Sequence, residues 1–414
     1  MTADPTPSSL LHHAPFVRFL YVRIAASIAL QVQAVAVGWQ MYELTRSPFE
    51  LGLVGLVQFV PALALFLATG HAADHFDRRI ITSTAQFIEA IAVAALAFAS
   101  ATGRLTPHLL LGMAFIIGTA RAFEQPSLQT ALPNIVPPTL LPRAIAASTS
   151  ASQIAIVAGP ALGGALIAFS PTMVFAACAV LWLSAGFVML GIAMKQKTSP
   201  REPVDLQTLF SGLVFIGHHK VVLGAILLDL FAVLLGNATA LLPIFARDVF
   251  VSGPLSFGML RAAPAAGALM TALTLARWPV SRHVGRGMFI AVAIFGIGTI
   301  LLALSPTLPF AMGAMFIVGA ADTVSVVIRQ SLLLLHTPDA MRGRVYAVGS
   351  MFTGTSNQLG DFRAGMAATL FGTVPSVLIG GFSTLAVVLV STRVFRELLE
   401  TDRYEPTAER AAGS

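Results

Sequence analysis

Gly70-His71-Ala72-Ala73-Asp74-His75-Phe76-Asp77-Arg78-Arg79 is a compact charged turn set between two long apolar runs. Two further segments share its character. Ala158-Gly159-Pro160-Ala161-Leu162-Gly163-Gly164 is a Gly/Pro cluster inside another apolar run, and Thr337-Pro338-Asp339-Ala340-Met341-Arg342-Gly343-Arg344-Val345 is a second charged turn far downstream. Turns of this kind between membrane spans belong to a moving machine rather than to a passive anchor.

Composition identifies the solvent. Of 414 residues, 56% are hydrophobic and 11% are charged, and mean hydropathy is +0.82. A soluble domain is about one quarter charged, so this chain sits in a bilayer. Backbone groups in hydrocarbon must be satisfied within the segment. The runs are about 20 residues long and lack strand alternation, which predicts an all-α membrane protein rather than a barrel.

Twelve apolar runs can be placed, at 16–42, 51–69, 80–101, 107–123, 144–169, 172–194, 221–246, 255–276, 288–304, 309–328, 345–371 and 375–394. They divide the chain into a tail (1–15), a six-helix bundle (16–194), a central polar loop (195–220), a second six-helix bundle (221–394) and a C-terminal tail (395–414). Within the loop, Leu206, Leu209, Phe210, Leu213 and Val214 recur at helical spacing, which predicts a helix lying along the membrane surface. The first run carries Arg18 and Arg23 and lacks a cleavage site, so it reads as a retained span.

Charge gives the orientation. With the N-terminus inside, nineteen of the 25 Lys and Arg fall on inner turns and tails. Only Arg46, Arg104 and Arg247 fall on outer turns, while Arg121, Arg261 and Arg363 lie inside spans. Both termini are therefore expected in the cytoplasm, with the protein multi-pass in an inner or plasma membrane. The formal charge of +6 comes from these scattered turns and not from a basic face interleaved with aromatics, so nucleic acid is not an expected partner. The lone Cys178 rules out an intramolecular disulfide. No H-E-x-x-H, C-x-x-C, P-loop or G-x-S-x-G motif is present, so neither an enzyme nor a cofactor is expected. The adjacent pairs His12-His13 and His218-His219 point about 100° apart on a helix and make poor metal sites.

Ionisable residues inside spans are expensive and are functional candidates by default. Glu89 lies near mid-depth of the third run. Arg121 and Glu124, three apart on the fourth, could pair with each other. Asp229 lies on the seventh run, and Asp322, Ser325 and Arg329 share one face of the tenth. Arg261 on the eighth and Asp361 on the eleventh could form a structural pair. A low-dielectric site disfavours the charge of a carboxylate, which lets it load a proton from one side and release it on the other. Arg329 stands about 10 Å along the helix from Asp322. Asp229 has no basic residue in its own span, which ranks it as the proton carrier and Asp322 as a cargo or gate contact.

Six plus six helices with the charged turn at 70–79 resemble the major facilitator superfamily. Its loop pattern G-x-x-x-D-R-x-G-R-R/K is matched at Gly70, Asp74, Arg78 and Arg79, with His75 standing where Arg is usual and Asp77 where Gly is usual. Gly159, Pro160, Gly163 and Gly164 resemble the core of that superfamily's antiporter motif, although Ser148 and Ala155 replace its upstream glycines. Trp39 to Thr45, Pro126 to Pro133, Ala240 to Asp248 and Thr337 to Val345 are similar to the enterobactin-exporter-like branch, so the likeness covers nearly the whole chain.

The resemblance implies gating at Gly70, Asp74, Arg78, Arg79, Gly159, Pro160, Gly163, Gly164, Arg342 and Arg344. It implies a cavity lined from the first, fourth, seventh and tenth helices, with Gln31, Arg121, Glu124, Asp229, Asn237 and Asp322 as candidates and Glu89 as a further buried carboxylate. Gln31 and Gln33 cannot both face that cavity. The expected activity is alternating-access export of an organic small molecule, either a siderophore or a drug-like compound, driven by protons. An importer or facilitator of the same fold, or a non-transporting scaffold or sensor, are the alternatives. For each buried polar residue, an ordinary structural contact is as open as a functional one.

Overall fold

A computed structural model describes residues 10, 13–65, 68–69, 72, 76–194, 206–338 and 341–404. Gly70, Asp74 and His75 lie outside the described residues, as do His12, the 195–205 stretch and the last ten positions.

Among the described residues there are helices and no strands. The long ones are α1 (Ala14–Thr45), α2 (Pro48–Ala64), α3 (Arg78–Ala101), α4 (Pro107–Ala131), α5 (Leu141–Phe169), α6 (Pro171–Leu190), α7 (Lys220–Gly236), α8 (Pro254–Arg277), α9 (Val284–Ala303), α10 (Leu308–Leu335), α11 (Arg342–Phe371) and α12 (Thr373–Val394). A connecting helix, Leu206–His218, precedes α7, and a short one, Arg396–Leu399, follows α12. Nine helices among the described residues are long and apolar enough to cross a membrane. That set excludes α2, which is apolar but only 17 residues long. It also excludes α4 and α11, whose length is ample but which carry Arg121 and Glu124, and Arg342, Arg344, Asp361 and Arg363, respectively.

Local chemistry starts and stops these helices. Asp77 is the N-cap of α3, its carboxylate accepting from the Arg79 amide at 2.8 Å. The sequence comparison marks Asp77 only as a departure from Gly, and the cap is what that departure supplies. Thr106 caps α4 by accepting from the Leu109 amide at 3.2 Å, ahead of Pro107 in the first turn. Gly372 takes a left-handed φ of 89° between α11 and α12. Along α3 the exposed residues Thr84, Ile88, Ile91, Ala94 and Phe98 form a stripe that suits lipid, while the opposite face is buried.

The chain forms two compact units, Met1–Leu44 with Val57–Val204, and Thr45–Leu56 with Asp205–Ser414. In the first unit, α3 packs on α4 and α6. The helix α1 reaches α6 through Trp182 Nε1 donating to Gln33 Oε1 (3.1 Å) and Tyr21 donating to Ser184 (2.8 Å). It meets α5 where a Cβ on Gly159 would stand 2.5 Å from Gln31 Cβ and one on Gly163 would stand 3.1 Å from Val32 Cα. Only glycine allows backbones that close.

In the second unit, α8 packs on α10, α9 on α10 and α12, and α7 on α11 and α12. The connecting helix docks on this unit through Phe215 and Ile216, which join Val222, Ile226, Leu333, Val345 and Val348. Leu213 and Val214, on the apolar stripe read as lying along the membrane surface, are exposed. The C-terminal segment is strapped across the start of α9, where the Val284 and Gly285 amides donate to the Asp402 and Thr401 carbonyls.

Candidate functional site

Helix α7 is broken. It ends at Gly236, and the chain continues through a 3-10 turn (Thr239–Leu241), a short α segment containing Pro243 and a π turn (Phe245–Val249). A break in hydrocarbon frees backbone groups that need new partners. Arg363 on α11 supplies them, donating from Nε to the Leu234 carbonyl at 3.0 Å and from Nη2 to the Asn237 carbonyl at 3.3 Å. Asp361 accepts from Asn237 Nδ2 at 3.0 Å and from the Ala240 amide at 3.2 Å. The expected Arg261–Asp361 pair is therefore corrected. Asp361 is spent on the break in α7, and Arg261 acts on it only electrostatically, with no ion-pair contact between these two described residues. Asn237, expected to line a pathway, also holds this break, although it borders the cavity described next.

About two turns before the break lies a buried ionic cluster. Asp229 on α7 accepts from Ser325 Oγ at 3.1 Å and stands 3.3 Å from Arg329 Nε, both groups on α10. Arg329 Nη1 donates to Thr353 Oγ1 on α11 at 2.8 Å. The shared face of Ser325 and Arg329 brings both to one carboxylate, as their spacing anticipates. Asp229 has no basic residue in its own span, but a base reaches it from α10, a pairing that its ranking as proton carrier leaves out of account. Asp322 is half-buried, has no hydrogen bond among the described residues, and faces a cavity of about 150 Å³. Asp229, Asn237, Phe295, Thr353 and Asn357 line the same cavity. The charges felt by Asp322 there are those of Asp229 and Arg329. A carboxylate without a bonded partner, beside a complete ion pair, can change protonation or take a cationic or donor group without first breaking a contact.

The first unit holds a second polar site, on the facing sides of α3 and α4. Gln86 Nε2 donates to Glu124 Oε1 at 2.8 Å. Glu124 is thus held by Gln86 and not directly by Arg121, which acts on it electrostatically together with Arg23. Glu89, one turn along α3, is fully buried. Gln31 packs beside Gly159, and Gln33 is buried against Trp182, so the two point apart as expected.

The charged-turn residues that are described bind their own unit. Arg78 Nη1 donates to the Thr130 carbonyl at 2.9 Å, and Arg79 reaches Asp77 at 3.4 Å and the Leu190 carbonyl at 3.5 Å. These contacts staple the ends of α4 and α6 to α3. Arg342 Nε donates to the Leu334 carbonyl at 2.9 Å, and Gly212 of the connecting helix lies against the Arg344 backbone. Gly159, Pro160, Gly163 and Gly164 are all buried. Sequence inspection missed Gln86 and Thr353, which are neutral residues with no motif to mark them. Among the described residues no group of His, Cys, Asp and Glu could hold a metal ion.

An all-helical membrane protein with a broken helix and buried carboxylates facing an internal cavity has the build of a solute transporter of the major facilitator type. The family model described as "Transmembrane secretion effector" matches residues 6–410, and the chain belongs to that family. It is 26% identical over 399 residues to the multidrug efflux pump Tap of Mycobacterium tuberculosis, covering 92% of each chain. It is 24% identical over 417 residues to the enterobactin exporter EntS of Escherichia coli, covering 94% of this chain and 95% of that one. Among solved structures, a bacterial homologue of the human lysosomal transporter Spinster, inward-facing and occupied, matches with a TM-score of 0.75 at 14% identity, covering 97% of this chain and all of that one.

Proposed function

We propose that this transporter is a proton-driven exporter of an organic small molecule, working by alternating access with all twelve long helices in the membrane and both termini in the cytoplasm. The observation that carries the reading is Asp322. It is a carboxylate without a hydrogen bond among the described residues, at the wall of a cavity whose other acid, Asp229, is already paired with Arg329. Asp322 takes up the proton, and the Asp229–Arg329 pair sets the field it titrates in. When Asp322 is neutral, Arg329 is shared with one anion instead of two, which changes what the cavity can bind. The multidrug pump and enterobactin exporter among the relatives support efflux as the direction and a drug-like or catecholate compound as cargo. Asp74 and Gly70 are assigned to the gate by their motif spacing.

The test is flux into inverted membrane vesicles. A panel of labelled catecholates and amphiphilic drugs is offered with and without a gradient acidic in the lumen. Gradient-dependent accumulation that Asp322→Asn abolishes supports the reading, and unchanged accumulation in that variant removes it. Reporter fusions at Gly103 and Ser305 should read outside, and a cytoplasmic signal at either would overturn the orientation.

A further inference from the structure

The buried side of α3, which packs on α4 and α6, changes character at one residue. From the Arg78 end its buried residues are Thr82, Ser83, Gln86 and Glu89, interrupted only by Ala85, and beyond Glu89 they are Ala90, Ala92, Val93, Leu96 and Ala99. On α4 the buried polar residues Glu124 and Ser127 lie toward the same end, beside Leu128 and Ala131, and the buried residues toward the other end, Leu110, Ala114, Ile117, Gly118 and Ala120, are all apolar or glycine. The Gln86–Glu124 hydrogen bond and the Arg78–Thr130 contact fix the register between the two helices.

Six buried oxygens on α3 and α4 have no hydrogen-bond partner among the described residues: Thr82 Oγ1, Ser83 Oγ on the flank toward α6, Gln86 Oε1, Ser127 Oγ and both carboxyl oxygens of Glu89. All five side chains are at most 1% exposed. Buried polar atoms are almost always satisfied, and an orphan costs roughly 1–3 kcal/mol, so six together need partners. Spaced from Thr82 to Glu89, they extend about 10 Å at 1.5 Å per residue, the reach of a short file of waters. An internal water needs two or more polar partners, and these oxygens, with the Glu124 carboxylate, are the acceptors available to it. Helix α6, on the other flank of α3, brings no acidic or basic side chain. The charged groups facing the two carboxyls are Arg121 for both and Arg23 for Glu124, in addition to each other.

We infer that the α3–α4 seam is a dead-ended water file that connects Glu89 to the Arg78 end of the bundle, making Glu89 a proton-binding site separate from Asp322. One proton leaves a Glu89 oxygen for the adjacent water, each water passes one on past Gln86 and Ser127, and one emerges at the Arg78 end. Glu89 is left as a carboxylate in the field of Arg121. The apolar half of the seam closes the other direction, so exchange is one-sided. By the distribution of basic residues that side is the cytoplasm.

The test needs no cargo and does not depend on the export reading. Purified full-length protein in nanodiscs is switched from water to deuterium oxide, and the C=O band of protonated carboxyls is followed by infrared difference spectroscopy. The expected result is a buried-carboxyl band that shifts within seconds and disappears in Glu89→Gln. Thr82→Val, which removes a hydroxyl and keeps the shape, should keep the band and slow its exchange by about tenfold, a barrier change of about 1.4 kcal/mol. A wild-type protein without a band that Glu89→Gln removes overturns the inference. So does a Glu89 band that exchanges over hours, or one whose rate is indifferent to Thr82→Val.

Discussion

The two halves of the chain bury acid groups in opposite ways. In the second unit Asp229 is matched by an arginine and a serine, and the arginine is held in turn by a threonine. In the first unit Glu89 is equally buried and is matched by nothing within hydrogen-bond reach among the described residues. A paired buried ion is fixed in its charge state by the partner, since losing either member strands the other in low dielectric. An unmatched one is free to give up its charge. The contrast separates a structural charge from a switchable one inside a single protein, and Asp322 sides with Glu89 in lacking a bonded partner.

The sharpest way to break that comparison is to swap each acid for a hydrocarbon. Asp229→Leu should destabilise by about 3–5 kcal/mol because it strands Arg329, read as a fall in the thermal unfolding midpoint of detergent-solubilised protein. Adding Arg329→Met should recover most of the loss, and a double variant no better than the single would mean the two groups are not an energetic pair. Next in size, Gly159→Val should cost about 1–3 kcal/mol by overpacking against Gln31, with no change in proton-linked signals. Such an outcome would isolate packing from charge. Glu89→Leu should shift stability by less than about 1 kcal/mol, since an orphaned group and its water are exchanged for apolar contact. A loss comparable to that of Asp229→Leu would show that Glu89 has a partner after all.

The smallest effect serves as the background correction. His336 sits just past the end of α10, and burial, more than any neighbouring group, pushes its imidazole below the usual histidine value. Folded protein therefore binds its proton less readily than unfolded protein does. Stability from this residue is complete above the unfolded value near 6.5 and is lost as pH falls below it. His336→Gln should flatten that acid limb of the stability curve. What pH dependence remains between the wild-type protein and its carboxylate variants then belongs to the buried acids.

The membrane class and the long helices were legible because hydropathy is a property of single residues summed over a run. The helical faces were legible for the same reason, and Ser325 and Arg329 meet where their spacing on α10 puts them. Partner choice between helices was not. Arg329 lies about 10 Å along its own helix from Asp322, and nothing in the sequence says that a neighbouring helix offers Asp229 at a shorter range. The misassigned Asp361 has the same cause, with an added one. The break in α7 is marked only by Asn237 and Pro243, and the demand it creates for donors and acceptors appears once α11 is alongside. Asp77 could have been found, because an aspartate just before an apolar helix is a cap signal in its own right.

The stitching of α7 to α11 has a mechanical consequence. Leu234, Asn237 and Ala240 span the cut, and all three are tied to two residues of one helix, Arg363 and Asp361. A severed rod normally bends at the cut, but this one is splinted. The two pieces of α7 are held to α11 on both sides of the cut. Arg363 is the rivet: without it the Leu234 and Asn237 carbonyls lose their shared donor, and of these ties only those to Asp361 remain.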